Sequence, residues 1–196
     1  MRKAKELIGK SIVNQSTGER IASVHDLVFD TNAHAVAALL VDSGGWFRDA
    51  RVVCWDTVTS ISDVVMVQGE HPVITASSAP HLDEMLKRDI RLSGIPIVTE
   101  TGERIGLVGD LYINDAGEVV GYEVNQGFMS GRKFLFTDQV QTVGRDALIA
   151  DAGELTSVKQ ALQDLESAPQ HRNTMETTAE PLAPTDDRLP GDERTV

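Results

Sequence analysis

A mainly β chain made of two tandem small β-barrels, each followed by a short helix, is the fold class this sequence predicts. Three observations carry that prediction: one block of sequence occurs twice, apolar residues fall in short runs between turn signals, and periodicity ends near residue 168. Short strands at even spacing indicate a small closed barrel, which hides edges that a flat sheet would expose.

The duplication is read directly. Thr17-Gly18-Glu19-Arg20-Ile21 recurs as Thr101-Gly102-Glu103-Arg104-Ile105. In order, Val24 answers Val108, Asp26 answers Asp110, Leu27 answers Leu111 and Val36 answers Val120. Upstream, Leu7-Ile8-Gly9 and Ile12-Val13 answer Leu92-Ser93-Gly94 and Ile97-Val98, with one extra residue in the first copy. Downstream, Asp56-Thr57-Val58 answers Asp138-Gln139-Val140, and Ile61 answers Val143. A repeat of this kind sets the architecture before any single element does.

Within each copy, Ile12-Val13 leads to a turn at Ser16-Thr17-Gly18-Glu19, where glycine supplies positive φ. A long strand from Arg20 to Asp30 follows, with Val24, Leu27 and Phe29 as core candidates. Alternation breaks between Ile21 and Val24, which predicts a bulge, and Gly106 and Gly109 lie at this break in the second copy. Asn32-Ala33 and Asp115-Ala116-Gly117 mark turns into strands His34 to Val41 and Glu118 to Asn125. Next come Val52 to Trp55 and Lys133 to Phe136, then two short strands ending near Val67 and Ala150.

Leu82, Met85 and Leu86 share one face of a helix starting at Pro80. A second helix, Glu154 to Glu166, aligns Leu155, Val158, Leu162 and Leu165. Both are expected to cover barrel surfaces or the joint between barrels. Beyond about Ala168, Pro, Thr, Asp and Glu dominate, and such a segment buries too little surface to offset its ordering entropy. The domain reading is a first barrel at 5–76, a linker helix at 77–90, a second barrel at 91–151, a C-terminal helix at 152–167 and a disordered acidic tail at 168–196.

Composition narrows function. The net charge is −12 and no basic stripe is present, which argues against direct nucleic-acid or anionic-membrane binding and leaves a basic protein surface open as a partner. Cys54 is the only cysteine, so no intramolecular disulfide or thiolate zinc cluster forms. Met1 to Glu6 leads into no long apolar region, and the run Ala35 to Val41 is far short of the roughly 20 residues that span a bilayer. The expected address is cytoplasmic, with peripheral membrane association only through a partner and self-association open.

The ordered pattern, Leu-x-Gly then Ile-Val, Thr-Gly-Glu-Arg-Ile, Val-x-Asp-Leu and a later apolar strand running into Asp-x-Val, resembles the PRC-barrel family over roughly residues 5–75 and 90–151. Cys54 and Phe136 stand where that family often has proline. The resemblance implies a small barrel that holds other proteins and has no common active site. It occurs in the cytoplasmic part of the photosynthetic reaction-centre H subunit, in a ribosome maturation factor and in stand-alone bacterial and archaeal proteins. It implies a non-enzymatic protein-binding or assembly adaptor. The alternatives are a ribosome or ribonucleoprotein maturation factor acting through a ribosomal protein, or a soluble reaction-centre H-subunit-like protein.

Candidate partner-binding residues are Trp46 and Phe47 in the first copy and Phe128 and Met129 in the second, each on a glycine-flanked loop. Large apolar groups there either anchor a partner or fold back to cap the barrel. Asp26 and Asp110, with Glu19 and Glu103 near the turns, could form paired carboxylates for acid–base work, but the same types occupy both copies, so Asp26 and Asp110 are read, with Gly18 and Gly102, as fold and turn residues. Neither a metal site nor a cofactor site is expected. His25, His34, His71, His81 and His171 lack ligand spacing and read as solvated surface, and Gly102, Gly106 and Gly109 have the wrong spacing for a phosphate loop. Cys54 reads as a buried, inert thiol.

Overall fold

The computed structural model describes residues 1–167 apart from 45–48, 89, 128–130, 152 and 154. Along the chain run β1 (Arg2–Lys3), β2 (Ser11–Asn14), β3 (Arg20–Ser23), β4 (Asp26–Asp30), β5 (Ala35–Asp42), β6 (Arg51–Cys54), β7 (Val58–Ile61), β8 (Val65–Val67), β9 (Val73–Thr75) and α1 (Pro80–Arg88). The second repeat supplies β10 (Pro96–Val98), β11 (Arg104–Ile113), β12 (Val119–Asn125), β13 (Arg132–Phe136), β14 (Val140–Val143), β15 (Leu148–Ala150), β16 (Thr156–Ser157) and α2 (Val158–Ser167). Six of these strands, β1, β9 and β16 among them, are two or three residues long and carry no periodicity for a sequence to display; β9 and β16 pair antiparallel with β6 and β13.

The two repeats share one topology. In the second, the hydrogen-bonded order is β14-β15-β10-β11-β12-β13-β16. In the first, the same path is cut in two, β3-β2-β8-β7 and β4-β5-β6-β9, because the strand expected over Arg20 to Asp30 breaks at Val24-His25. There the Val24 N–H turns to the Lys10 carbonyl at 2.9 Å and the His25 N–H to the Leu40 carbonyl at 2.7 Å. The second copy keeps β11 continuous and absorbs the same corner as a register shift between Val108 and Asp110. Gly106 permits the close approach, since a Cβ there would stand 2.7 Å from Val124 Cγ1 and 2.8 Å from the Asn125 carbonyl oxygen. The tandem two-barrel architecture is as expected, and among the described residues the hydrogen-bonded path of neither repeat returns on itself. In the second repeat Val140 of β14 and Leu155 beside β16, at the two ends of that path, pack on one apolar cluster.

Pairing also corrects one match between the copies. Val36 lies opposite Phe29, and Val119 opposite Ile113, so Val119 rather than Val120 is the counterpart of Val36. The first hairpin holds the additional residue in its turn, where His34 takes φ 48. The extra residue upstream falls in the turn before Gly18: the Gly18 N–H bonds to Asn14 across that turn, whereas the Gly102 N–H bonds to Thr99. Gly18 and Gly102 have φ 70 and 83, a conformation that disfavours any side chain. Asn14 and Thr99 are buried polar residues that satisfy these turns, Asn14 Oδ1 accepting from Ser16 N at 2.8 Å and Thr99 Oγ1 from Glu103 N at 3.0 Å.

Alternation along β4 explains the layering. Leu27 and Phe29 point into the shared core, while Val28 points outward and meets Ala38, Leu40, Val52 and Leu82 of α1. The equivalent outer face of the second repeat, Tyr112 and Phe134, is covered by Ala161, Val158, Leu162 and Leu165 of α2. Each barrel is thus capped by the helix that follows it. The second helix starts at Val158 rather than Glu154, because Thr156–Ser157 pair with β13, and Leu155 joins the inner core instead of the helical face.

The inner core is continuous through both repeats, running from Leu7, Ile12 and Leu39 to Ile97, Leu111 and Leu135. Among the described residues, several contacts hold the repeats together. The Val36 N–H donates to the Gly117 carbonyl at 2.8 Å and the Val119 N–H to the His34 carbonyl at 2.7 Å, joining the two hairpin turns. The buried Trp55 ring lies against Gly117, where a Cβ would be 2.4 Å from Nε1. Finally, β1 pairs with β11 of the other repeat, and Arg2 Nη1 donates to the Ile61 carbonyl of the first repeat at 2.7 Å.

Candidate functional site

Where the repeats meet, equivalent segments of both copies line one cleft of about 600 Å³. Gly9 and Gly94, at φ 84 and 87, turn the chain so that each N–H reaches the carbonyl of Val24 or Val108, at 2.8 and 2.7 Å. That turn places Ile8 and Ser93 on the cleft, and the corner beyond it places Asp26 with Leu27 and Asp110 with Leu111 there too. Met85 and Leu86 of α1 and the following Ile90 close one side. Apolar walls with a few convergent polar groups are the usual form of a binding site.

The two aspartates differ in setting. Asp26 is exposed, and its Oδ1 accepts from the Leu27 N–H at 2.8 Å. Asp110 is buried, and its Oδ1 accepts from Leu111 N at 2.9 Å and Lys5 N at 3.3 Å. Asp110 Oδ2 accepts no hydrogen bond, although Lys5 Nζ stands 3.4 Å away as an ion pair.

Beside the cleft lies a buried carboxylate the sequence reading passed over. Glu123 takes Lys3 Nζ at 2.5 Å on one oxygen and Arg132 Nε at 3.2 Å on the other, with the Tyr112 hydroxyl at 3.4 Å. Burial works to lower the Lys3 pKa, but hydrogen bonds to Glu123 and Tyr112 outweigh it and the net direction is upward. Burial likewise raises Tyr112, with Lys3 opposing. A charged residue inside the apolar run Val119 to Val124 was the available signal; its counterpart in the first repeat by register is Leu40.

Trp46, Phe47, Phe128 and Met129 lie outside the described residues, as does the tail from 168. Ser43 and Ala50, which flank the first of those loops, line the cleft. Among the histidines, His25 lines the cleft and His71 and His81 are exposed, while His171 lies outside the described residues. His34 departs from a solvated reading: it is half-buried between the repeats, with Nδ1 3.4 Å from the Tyr122 hydroxyl. Cys54 is half-buried, and burial together with nearby Asp56 raises its pKa, which disfavours the nucleophilic thiolate.

Among the described residues, no helix is long and apolar enough to cross a membrane. Comparison with curated proteins finds no match. The family model described as PRC-barrel domain matches residues 1–71 and again 87–156, well over half of the chain and once for each repeat. With the duplicated topology and the paired corners at Asp26 and Asp110, that match shows that the chain belongs to the PRC-barrel domain family, in tandem.

Proposed function

We propose that this chain is a non-enzymatic protein-binding module in which two barrels build one docking surface. The observation that carries this reading is the cleft of about 600 Å³ to which both repeats contribute equivalent residues. A site made by both copies gives a reason for keeping them in one chain. The net charge of −12 favours a basic partner surface, a ribosomal protein being one such. Fold membership alone does not assign a function, so the partner has to be found by experiment.

Crosslinked affinity purification of the tagged chain from its own cells, read by mass spectrometry, tests the reading. Trp46→Ala with Phe47→Ala, and separately Ile8→Asp, serve as controls. A small set of proteins enriched by the native chain and lost with a variant is expected. A well-yielding crosslinked sample with no enriched protein would overturn it. Co-sedimentation with ribosomes without affinity for free RNA would specify the ribosomal partner.

A further inference from the structure

We infer that the cleft between the repeats recognises a segment of a partner protein in which apolar side chains flank a basic one, the basic group going to Asp110. This rests on the protein-binding reading above and names the partner's chemistry. Asp110 is 3% exposed, and its Oδ1 is fully engaged by two backbone N–H groups while its Oδ2 accepts no hydrogen bond. Lys5 Nζ, 3.4 Å from that oxygen, belongs to a side chain that is 59% exposed, so it can move aside at little cost. A buried carboxylate oxygen without a hydrogen bond is destabilising, and an incoming N–H donor relieves it.

The rest of the lining selects what carries that donor. Leu27, Phe29, Met85, Leu86 and Ile90 form apolar walls. Ile8, at the edge, is 43% exposed, and besides Met1 it is the large apolar side chain most open to solvent among the described residues. Lys5, His25 and Arg91 also line the cleft, so it is not simply an acidic hole. An acidic ligand, however, would set its carboxylate against Asp26 and Asp110 and leave the buried acceptor unmet. A basic side chain meets Asp110, passes the exposed Asp26, and approaches a chain of net charge −12.

The test uses the full chain and a phage-displayed library of random twelve-residue peptides. Recovered peptides are expected to share Lys or Arg between apolar residues. Replacing that basic residue by glutamine, or introducing Asp110→Asn, should weaken binding roughly tenfold or more in fluorescence anisotropy. Asp26→Asn and Ile8→Asp, both on exposed positions, should weaken it with the melting temperature unchanged, which keeps the test decisive if Asp110→Asn fails to fold. Peptides without a basic residue, binding indifferent to these variants, or no peptide above background would each overturn the inference. A cellular partner captured equally by native chain and cleft variants would also overturn it, while leaving the protein-binding reading intact.

Discussion

Gly121 shows how one position sets the packing of a whole face. A Cβ there would stand 2.2 Å from Phe134 Cε1, so the Phe134 ring occupies the room that a side chain would take. At the same register the first repeat has Ala38 with Val52 nearby, a larger residue beside a smaller one. Gly121→Ala is expected to cost about 1–3 kcal/mol, as overpacking does, and Phe134→Val in the same chain should recover part of it. A double-mutant cycle by urea denaturation checks this; additive losses would show that the two sites do not share the space. Titration offers a second residue-scale test. Lys3, Cys54, Tyr112 and Tyr122 all have pKa values raised by the fold, the last by burial. A raised group holds its proton in the folded state where the unfolded chain releases it. Its contribution is therefore intact below the unfolded value and lost as pH rises towards the folded one. Stability should decline from about pH 8.5, where a free thiol ionises, and more steeply above about pH 10. Melting temperatures that stay level from pH 8 to 11 would contradict this.

At the scale of elements, β1 matters most for its size, since two residues join the start of the chain to the far repeat. Lys3 on this strand neutralises Glu123, which is 4% exposed. Lys3→Met leaves that carboxylate with Arg132 and the Tyr112 hydroxyl, and losing one partner of a buried pair typically costs about 3–5 kcal/mol, less here because these remain. Lys3→Met with Glu123→Leu removes both charges and places leucine where the first repeat has Leu40, so the double variant should be more stable than Lys3→Met alone. Guanidinium unfolding of the three chains decides it, and a double variant no better than the single would show that Glu123 is not the source of the loss. The larger elements were legible beforehand: the ends at Val67 and Ala150, the helix at Pro80–Arg88 and the turns at Gly18 and Gly102 match the reading from periodicity and turn chemistry. Spacing alone starts the second helix too early, because Leu155 fits a helical face, yet its neighbours Thr156 and Ser157 find strand partners on β13.

For the molecule as a whole, the shared core makes the two repeats a single cooperative unit. One apolar cluster passes through both, and the hairpin turns are hydrogen-bonded to each other. One thermal transition is therefore expected, and two resolved transitions would show that the repeats unfold separately. Gly117→Ala aims at the joint, because φ 87 disfavours a side chain and a Cβ would lie 2.4 Å from Trp55 Nε1. A loss of about 1–3 kcal/mol and a red shift of Trp55 emission, read in a Trp46→Phe background, are the expected results. Unchanged emission would place the joint elsewhere.

By itself, the sequence determined the duplication, the order of the main strands, the capping helices and the glycine turns. Each of these has a local signature: a repeated string, a period, or a residue type that a backbone angle demands. The cleft, the pairing of β1 with β11 and the burial of Glu123 were decided only by tertiary structure. Asp26 and Asp110 could be matched as equivalents by eye, but periodicity reports that a face is covered and not what covers it. That both aspartates open onto one cleft, and that only Asp110 is buried there, follows from how two similar surfaces meet across the chain. Contacts between residues so far apart in sequence leave no mark in any local window.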